Sequence, residues 1–135
     1  MADTMQFDLV SPERRLASLE ATAVRIPGTE GDMTAMPDHA PTITTLRPGI
    51  LTVETAGGAE EYVVVGGFAE IGSEGTTVLA EAAMAKGEVT PEYMGSLLSE
   101  ARYAADRAAP EAADAAAKRI ADIEAVGEAI GVRAS

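Results

Sequence analysis

The hydrophobic period of the chain changes once, at Lys86 and Gly87. Side chains on a strand repeat their facing every two residues and on a helix about every 3.6, so one architecture cannot serve both parts. Before the change, "MQFDLV" puts Met5, Phe7 and Leu9 on one side and Gln6 and Asp8 on the other. The runs "ATAVRI", "TITTL", "ILTVET", "EEYVVVGGFAEI" and "TTVLAEA" follow, separated by turn residues at Pro27 and Gly28, Pro48 and Gly49, Gly57 and Gly58, and Gly72. Short β-branched runs broken by Gly or Pro predict an all-β sandwich or barrel. Val63, Val64 and Val65 are apolar on both strand faces, which predicts a central strand. Gly66 and Gly67, directly after them, predict a bend or the close approach of another backbone.

After the change the pattern is helical. Thr90, Pro91 and Glu92 supply an N-cap, a first-position proline and a first-turn acid. Met94, Leu97, Leu98 and Ala101 then share one stripe. Ala108, Ala109 and Pro110 predict a turn, and a second helix runs from Pro110 with Ala113, Ala116, Ala117, Ile120, Ile123, Val126, Ala129 and Ile130 along its seam. Two helices joined by a short turn form an antiparallel hairpin. An alanine seam allows close approach but buries little apolar area. The hairpin therefore reads either as a movable appendage or as a fixed part of the structure.

Composition excludes several function classes. The 135 residues suit one ordinary domain or a small domain with an appendage, and 47% apolar content is enough for a core. With 4% aromatics and no Trp, that core is built from Val, Ile, Leu, Ala and Met. The absence of Cys removes disulfides, thiolate catalysis and cysteine-ligated zinc. A net charge of −12 disfavours binding to nucleic acid and docking on anionic lipid. Acidity of this size either keeps the surface solvated or complements a basic partner. No apolar run approaches the roughly 20 residues that span a bilayer, and the start, "MADTMQFDLV", lacks the pattern of a leader. A cytoplasmic protein with no direct membrane insertion, held to any membrane complex through a partner, is the expectation.

Chemistry has few footholds. No "GxxxxGK" loop and no "GxSxG" elbow is present, and "GGFAEIG" follows a strand without opening a helix. The single histidine, His39, lies in "GTEGDMTAMPDHAP", where Asp32 or Asp38 are its nearest acids. That arrangement admits a small hydrolase, yet no further partner completes a catalytic set. The alternative is a rigid projecting turn, shaped by Pro27, Gly28, Gly31, Pro37 and Pro41, that presents Glu30, Asp32 and His39 to a partner.

Three blocks, "FDLVSPE", "VRIPGTEGDMTAMPDHAPTITTLRPGILTV" and "VVVGGFAEI…TTVLAEAA", resemble the epsilon subunit of bacterial F-type ATP synthase. The most specific part runs PG-x-EG, then P-x-HAP, then RPG-x-L. The resemblance implies an N-terminal β-sandwich of about ten strands over residues 1–86 and a C-terminal two-helix hairpin over 87–135. It implies a non-catalytic central-stalk (rotor) subunit, peripheral on the cytoplasmic face of the bacterial inner membrane. Such a subunit couples c-ring rotation through gamma to ATP synthesis. Its implied partners are gamma, the c-subunit ring and, when the hairpin extends, the alpha/beta catalytic head.

By the same resemblance Glu30, Gly31, Asp32 and His39 face the c ring, and Ser11 and Thr44 lie against gamma. Some relatives bind ATP through a hairpin motif reading roughly Ile/Leu-Asp-x-x-Arg-Ala. Here the helix start, "VTPEYMG", lacks the Asp and the Arg, and "LSEARYA" keeps Glu100, Ala101 and Arg102 but has Ser99 at the Asp position. No cofactor is therefore expected, and a nucleotide-binding regulator acting through the hairpin stands as the alternative function.

Overall fold

The computed structural model describes residues 4–38 and 40–133. The chain divides into two compact units, Met1–Ala85 and Lys86–Ser135. The first holds eight strands: β1 (Met5–Val10), β2 (Arg15–Ala21), β3 (Ala23–Gly28), β4 (Gly31–Ala35), β5 (Thr42–Thr45), β6 (Gly49–Thr55), β7 (Gly58–Ile71) and β8 (Gly75–Ala85). They hydrogen-bond in the order β2-β1-β8-β7-β6-β3-β4, with β5 added to β7. The β1–β8 pair is parallel and the rest are antiparallel.

Eight strands make this sandwich rather than about ten, because β7 and β8 are 14 and 11 residues long and each serves both layers. The first half of β7 pairs β6 through Gly58 to Val64, and its second half pairs β5 through Phe68 to Ile71. The change of partner falls at Gly66 and Gly67, whose φ angles are +69° and +99°. The β7–β8 register is continuous across the bend, with Val65 opposite Ala82 and Gly67 opposite Ala80. The face turned to the core is not continuous. Tyr62 and Val64 enter the core before the bend, and Ala69 and Ile71 after it, so the inward parity switches. The partner strand switches with it, from Ala85 and Ala83 to Ala80 and Val78.

The core of the sandwich collects Phe7, Leu9, Val24, Ile26, Leu51, Val53, Val64, Ile71 and Val78, all at 2% exposure or less. Each such aliphatic or aromatic side chain contributes about 1.5–3 kcal/mol on burial. The alternation read in "MQFDLV" places Met5, Phe7 and Leu9 inside. Val63 and Val65 are buried as well, so the central strand is enclosed on both faces.

The turn expected at Pro27 and Gly28 lies two residues later. β3 continues through both, pairing Pro27 with Asp32 and Gly28 with Gly31, and the tight turn is Thr29 and Glu30. A proline is tolerated here because N–H and C=O of one strand residue point the same way. Pro27 O accepts from Arg47 N–H at 3.0 Å, so the missing donor faces away from β4. The stretch 28–41 is therefore a hairpin turn, a strand and a connection, not one projecting loop.

In the second unit, α1 (Pro91–Asp106) starts as expected, with Tyr93 N–H donating to Thr90 Oγ1 at 3.1 Å and Pro91 in the first turn. Met94, Leu97, Leu98 and Ala101 are buried. Pro110–Ala112 forms a short 3-10 turn, and α2 (Ala113–Ile130) follows. The expected seam of α2 is corrected in two places. Ala113, Ala117 and Ala129 are exposed, and Gly127 is buried beside Ile123 and Val126. A Cβ at Gly127 would stand 2.8 Å from Val132 O, where the chain folds back after α2, and 3.2 Å from the movable Met94 Cε of α1, so the fold-back leaves little room for a larger residue. The start of α2 has no side-chain cap. Alanine burial, at about 0.8 kcal/mol per methyl, does little to hold that first turn. No described helix is long and apolar enough to cross a membrane.

Two outcomes follow from the bend and the strand that carries it. A Cβ at Gly67 would lie 2.0 Å from Leu79 O, and its φ disfavours side chains. Gly67→Ala is expected to cost roughly 2–5 kcal/mol in urea unfolding, whereas Gly72→Ala, with nothing within 4 Å of its Cβ, shifts stability by less than about 0.5 kcal/mol. Equal losses would show that the bend does not need the glycine. Tyr62 Oη donates to Glu60 Oε1 at 2.9 Å. Burial first, then that bond and the Glu60 charge, push its pKa up to about 12 from 10.0. The raised pKa adds stability that is full below pH 10.0 and is lost as pH rises through about 12. Difference titration against Tyr62→Phe is expected to show this phenol ionising near pH 12, and a midpoint near 10.0 would refute the assignment.

Candidate docking surfaces

The outer face of the layer β2-β1-β8-β7-β5 carries an apolar row across four strands. Val10 stands opposite Leu79, Leu79 opposite Phe68, and Phe68 opposite Thr45. Phe68 and Leu79 are 40% and 38% exposed, and Ile43, two residues along β5, is 68% exposed. Neighbouring core positions Ala69, Val78 and Ala80 point inward, so these large side chains occupy the outward parity. An open groove of about 450 Å³ runs along the row between Ser11, Pro12 and Glu81. In the next row Asp8 lies opposite Thr77, and Thr77 opposite Glu70. The apolar row is thus flanked by acids, which suits a partner with an apolar ridge set among basic groups.

Ser11 is 7% exposed and borders this groove. Its N–H donates to Arg14 O at 2.9 Å, Arg14 N–H donates back to Ser11 O at 3.2 Å, and its hydroxyl lies 3.3 Å from Arg14 O and Glu13 Oε1. It closes the β1–β2 turn. Thr44 is half-buried on β5, opposite Ala69, with its Oγ1 near Gly28. Of the two residues the resemblance set against gamma, Ser11 lines the groove, whereas Thr44 shares the inward parity of Ala69 and lies off the apolar row. Phe68 and Leu79 themselves escaped sequence reading. A signal was present: each breaks the polar parity set by its inward neighbours.

The second surface is the β3–β4 hairpin. Glu30 occupies the turn, and Gly31, with φ +133°, opens β4. Asp32 is paired with Arg47, Nη2 to Oδ1 at 2.5 Å. His39 lies outside the described residues, and Asp38, in the connection after β4, has φ +65°. Glu30, Gly31 and Asp32 are therefore grouped at one hairpin. Among the described residues no cluster of three or more His, Cys, Asp or Glu is placed to hold a metal.

The hairpin unit has its own cavity of about 450 Å³, lined by Met94, Leu98, Arg102, Glu124, Glu128 and Arg133 among others. Arg102 is paired with Glu124 at 3.5 Å. Its charged lining, two carboxylates and two guanidiniums, carries no net positive charge.

Residues 4–86 match the family described as ATP synthase, Delta/Epsilon chain, beta-sandwich domain. An ATP synthase epsilon chain from Rhodobacter capsulatus is 60% identical over 132 residues, covering 98% of this chain and 100% of that one. This chain belongs to the ATP synthase epsilon chain family. A second family member, from Ruegeria sp. (strain TM1040), is 58% identical over 94% of this chain and 96% of its own length. Among solved structures, a chain of the Euglena gracilis mitochondrial ATP synthase (OSCP/F1/c-ring in rotational state 1) superposes with a TM-score of 0.71 at 25% identity. It covers 94% of this chain and 81% of its own. Likeness to the family therefore extends over the helices as well as the sandwich.

Proposed function

We propose that the chain is the non-catalytic epsilon subunit of the ATP synthase rotor, peripheral on the cytoplasmic face of the bacterial inner membrane. The sandwich unit, residues 1–86, joins gamma to the c ring, and residues 87–135 form a regulatory hairpin that contacts the alpha/beta head only if it extends. The subunit passes torque from the proton-driven ring through gamma to the site of ATP synthesis. Torque transfer needs a part that does not deform, and a close-packed sandwich meets that need.

The observation that carries this reading is the exposed apolar row of Val10, Leu79 and Phe68. A monomeric protein in water leaves such a row uncovered only at a cost, and the flanking acids direct a basic-rimmed partner onto it. Gamma is the partner that the family supplies, and Ser11 borders the same row. The hairpin turn at Glu30 is the part presented to the c ring. Exposed ion pairs there are worth only about 0.2–1 kcal/mol each, so stable seating comes from the summed contact with gamma.

Phe68→Glu combined with Leu79→Glu is expected to leave the isolated subunit folded by circular dichroism, because both side chains already meet solvent. The same pair abolishes co-purification with gamma. Retained co-purification would move the gamma interface elsewhere.

The helical unit is poorly built for gripping acidic surfaces. Over its second half, residues 110–135, Lys118, Arg119 and Arg133 are outnumbered by Glu111, Asp114, Asp122, Glu124 and Glu128, and Lys118 already pairs Asp122 at 2.8 Å. Deleting the chain from Gly87 onward is expected to leave ATP hydrolysis by the assembled complex nearly unchanged. A large rise would reveal an inhibitory hairpin.

A further inference from the structure

We infer that Arg47 is a positioning residue that fixes the β3–β4 turn and leaves Glu30, not Asp32, as the acid offered to the c ring. The inference deepens the reading above and rests on it for the identity of the partner.

Arg47 holds both arms of the hairpin. Its N–H donates to Pro27 O at 3.0 Å and its Nη1 to Gly28 O at 2.6 Å, both on β3. Its Nη2 meets Asp32 Oδ1 on β4. The neighbouring residues reinforce it: Leu46 bridges Gly28, and Thr29 N–H donates to Thr45 O at 2.9 Å. The Arg47 side chain is 28% exposed and that of Asp32 is 75% exposed, so the guanidinium is the partly enclosed, anchored partner. A planar fork can bond a carbonyl on one arm and a carboxylate on the other at once, and an ammonium cannot reproduce that geometry.

The charge consequence follows directly. The Asp32 carboxylate lies against a cation of its own chain, so its field toward a basic partner is largely cancelled. Glu30 sits between the two clamped arms in a two-residue turn, and its carboxylate has no partner among the described residues. A rigid turn presents that single charge in one place, which lowers the entropy lost on contact.

The test uses the assembled complex in membranes, with Glu30→Cys in this chain and a cysteine introduced in the c-subunit polar loop. The rate of disulfide crosslinking reports the turn position. Arg47→Met and Asp32→Asn are each expected to slow it about threefold or more, and their combination to slow it no further, because coupled residues acting as one unit are non-additive. Arg47→Lys behaves like Arg47→Met. The parental rate in Arg47→Met, multiplied effects in the double variant, or full recovery with Lys would each overturn the positioning role.

A second measurement separates this role from the identity of the partner. In the isolated subunit, Arg47→Met is expected to speed amide exchange at Thr29 about tenfold while Val64 keeps its protection. An unchanged Thr29 overturns the clamp whatever the crosslinking shows. Faster Thr29 exchange together with no crosslink in the Glu30→Cys parent supports the clamp and overturns the c-ring reading alone.

Discussion

Everything in the sandwich turns on the contact between Gly67 and the Leu79 carbonyl. Only a residue without a Cβ fits against that oxygen, and only glycine readily takes the positive φ that β7 needs there. Gly66 also takes a positive φ, +69°, but its near neighbour is the movable Glu81 carboxyl rather than backbone. This pair lets one long strand leave β6, join β5 and keep its register with β8. The layers are thus joined by continuous backbone as well as by side-chain packing, which favours stiffness over adaptability.

The same contact creates the docking face. Extending the parity of Tyr62 and Val64 straight along β7 would put Phe68 in the core. Extending that of Ala83 and Ala85 back along β8 would bury Leu79. The bend reverses both strands together, so the two side chains emerge side by side on the outer face, opposite Val10. A structural device and an interaction surface thus share one origin. Acids on the neighbouring row and at Glu81 then restrict which partner can cover it.

The hairpin shows the opposite balance. Its hold comes from a few larger side chains, Met94, Leu97, Leu98, Ile123 and Val126, at one end. The alanines near the start of α2 that matched the helical period are exposed. Periodicity marks which face of a helix is apolar, but a methyl group is too small to fix how far along that face two helices stay in contact. Gly127 is buried because the chain after α2 folds back over it and Met94 reaches it from α1, and nothing in the apolar pattern singles it out.

The sequence alone determined the two units, the central strand at Val63, Val64 and Val65, the bend after it, the Thr90 cap and the family. These are local: each follows from the period, the glycine or the cap within a few residues. Tertiary structure decided what depends on distant segments. The strand count fell to eight because β7 and β8 are continuous through both layers. The turn moved to Thr29 and Glu30 because Arg47, 20 positions past Pro27 in the chain, accepts the role of Pro27's outer neighbour. Asp32, read as a free acid beside Glu30, is paired because the segment after β5 returns to the hairpin. Phe68 and Leu79 face outward for the same reason: facing after a bend is fixed by the strands on either side, and alternation along one strand does not contain it.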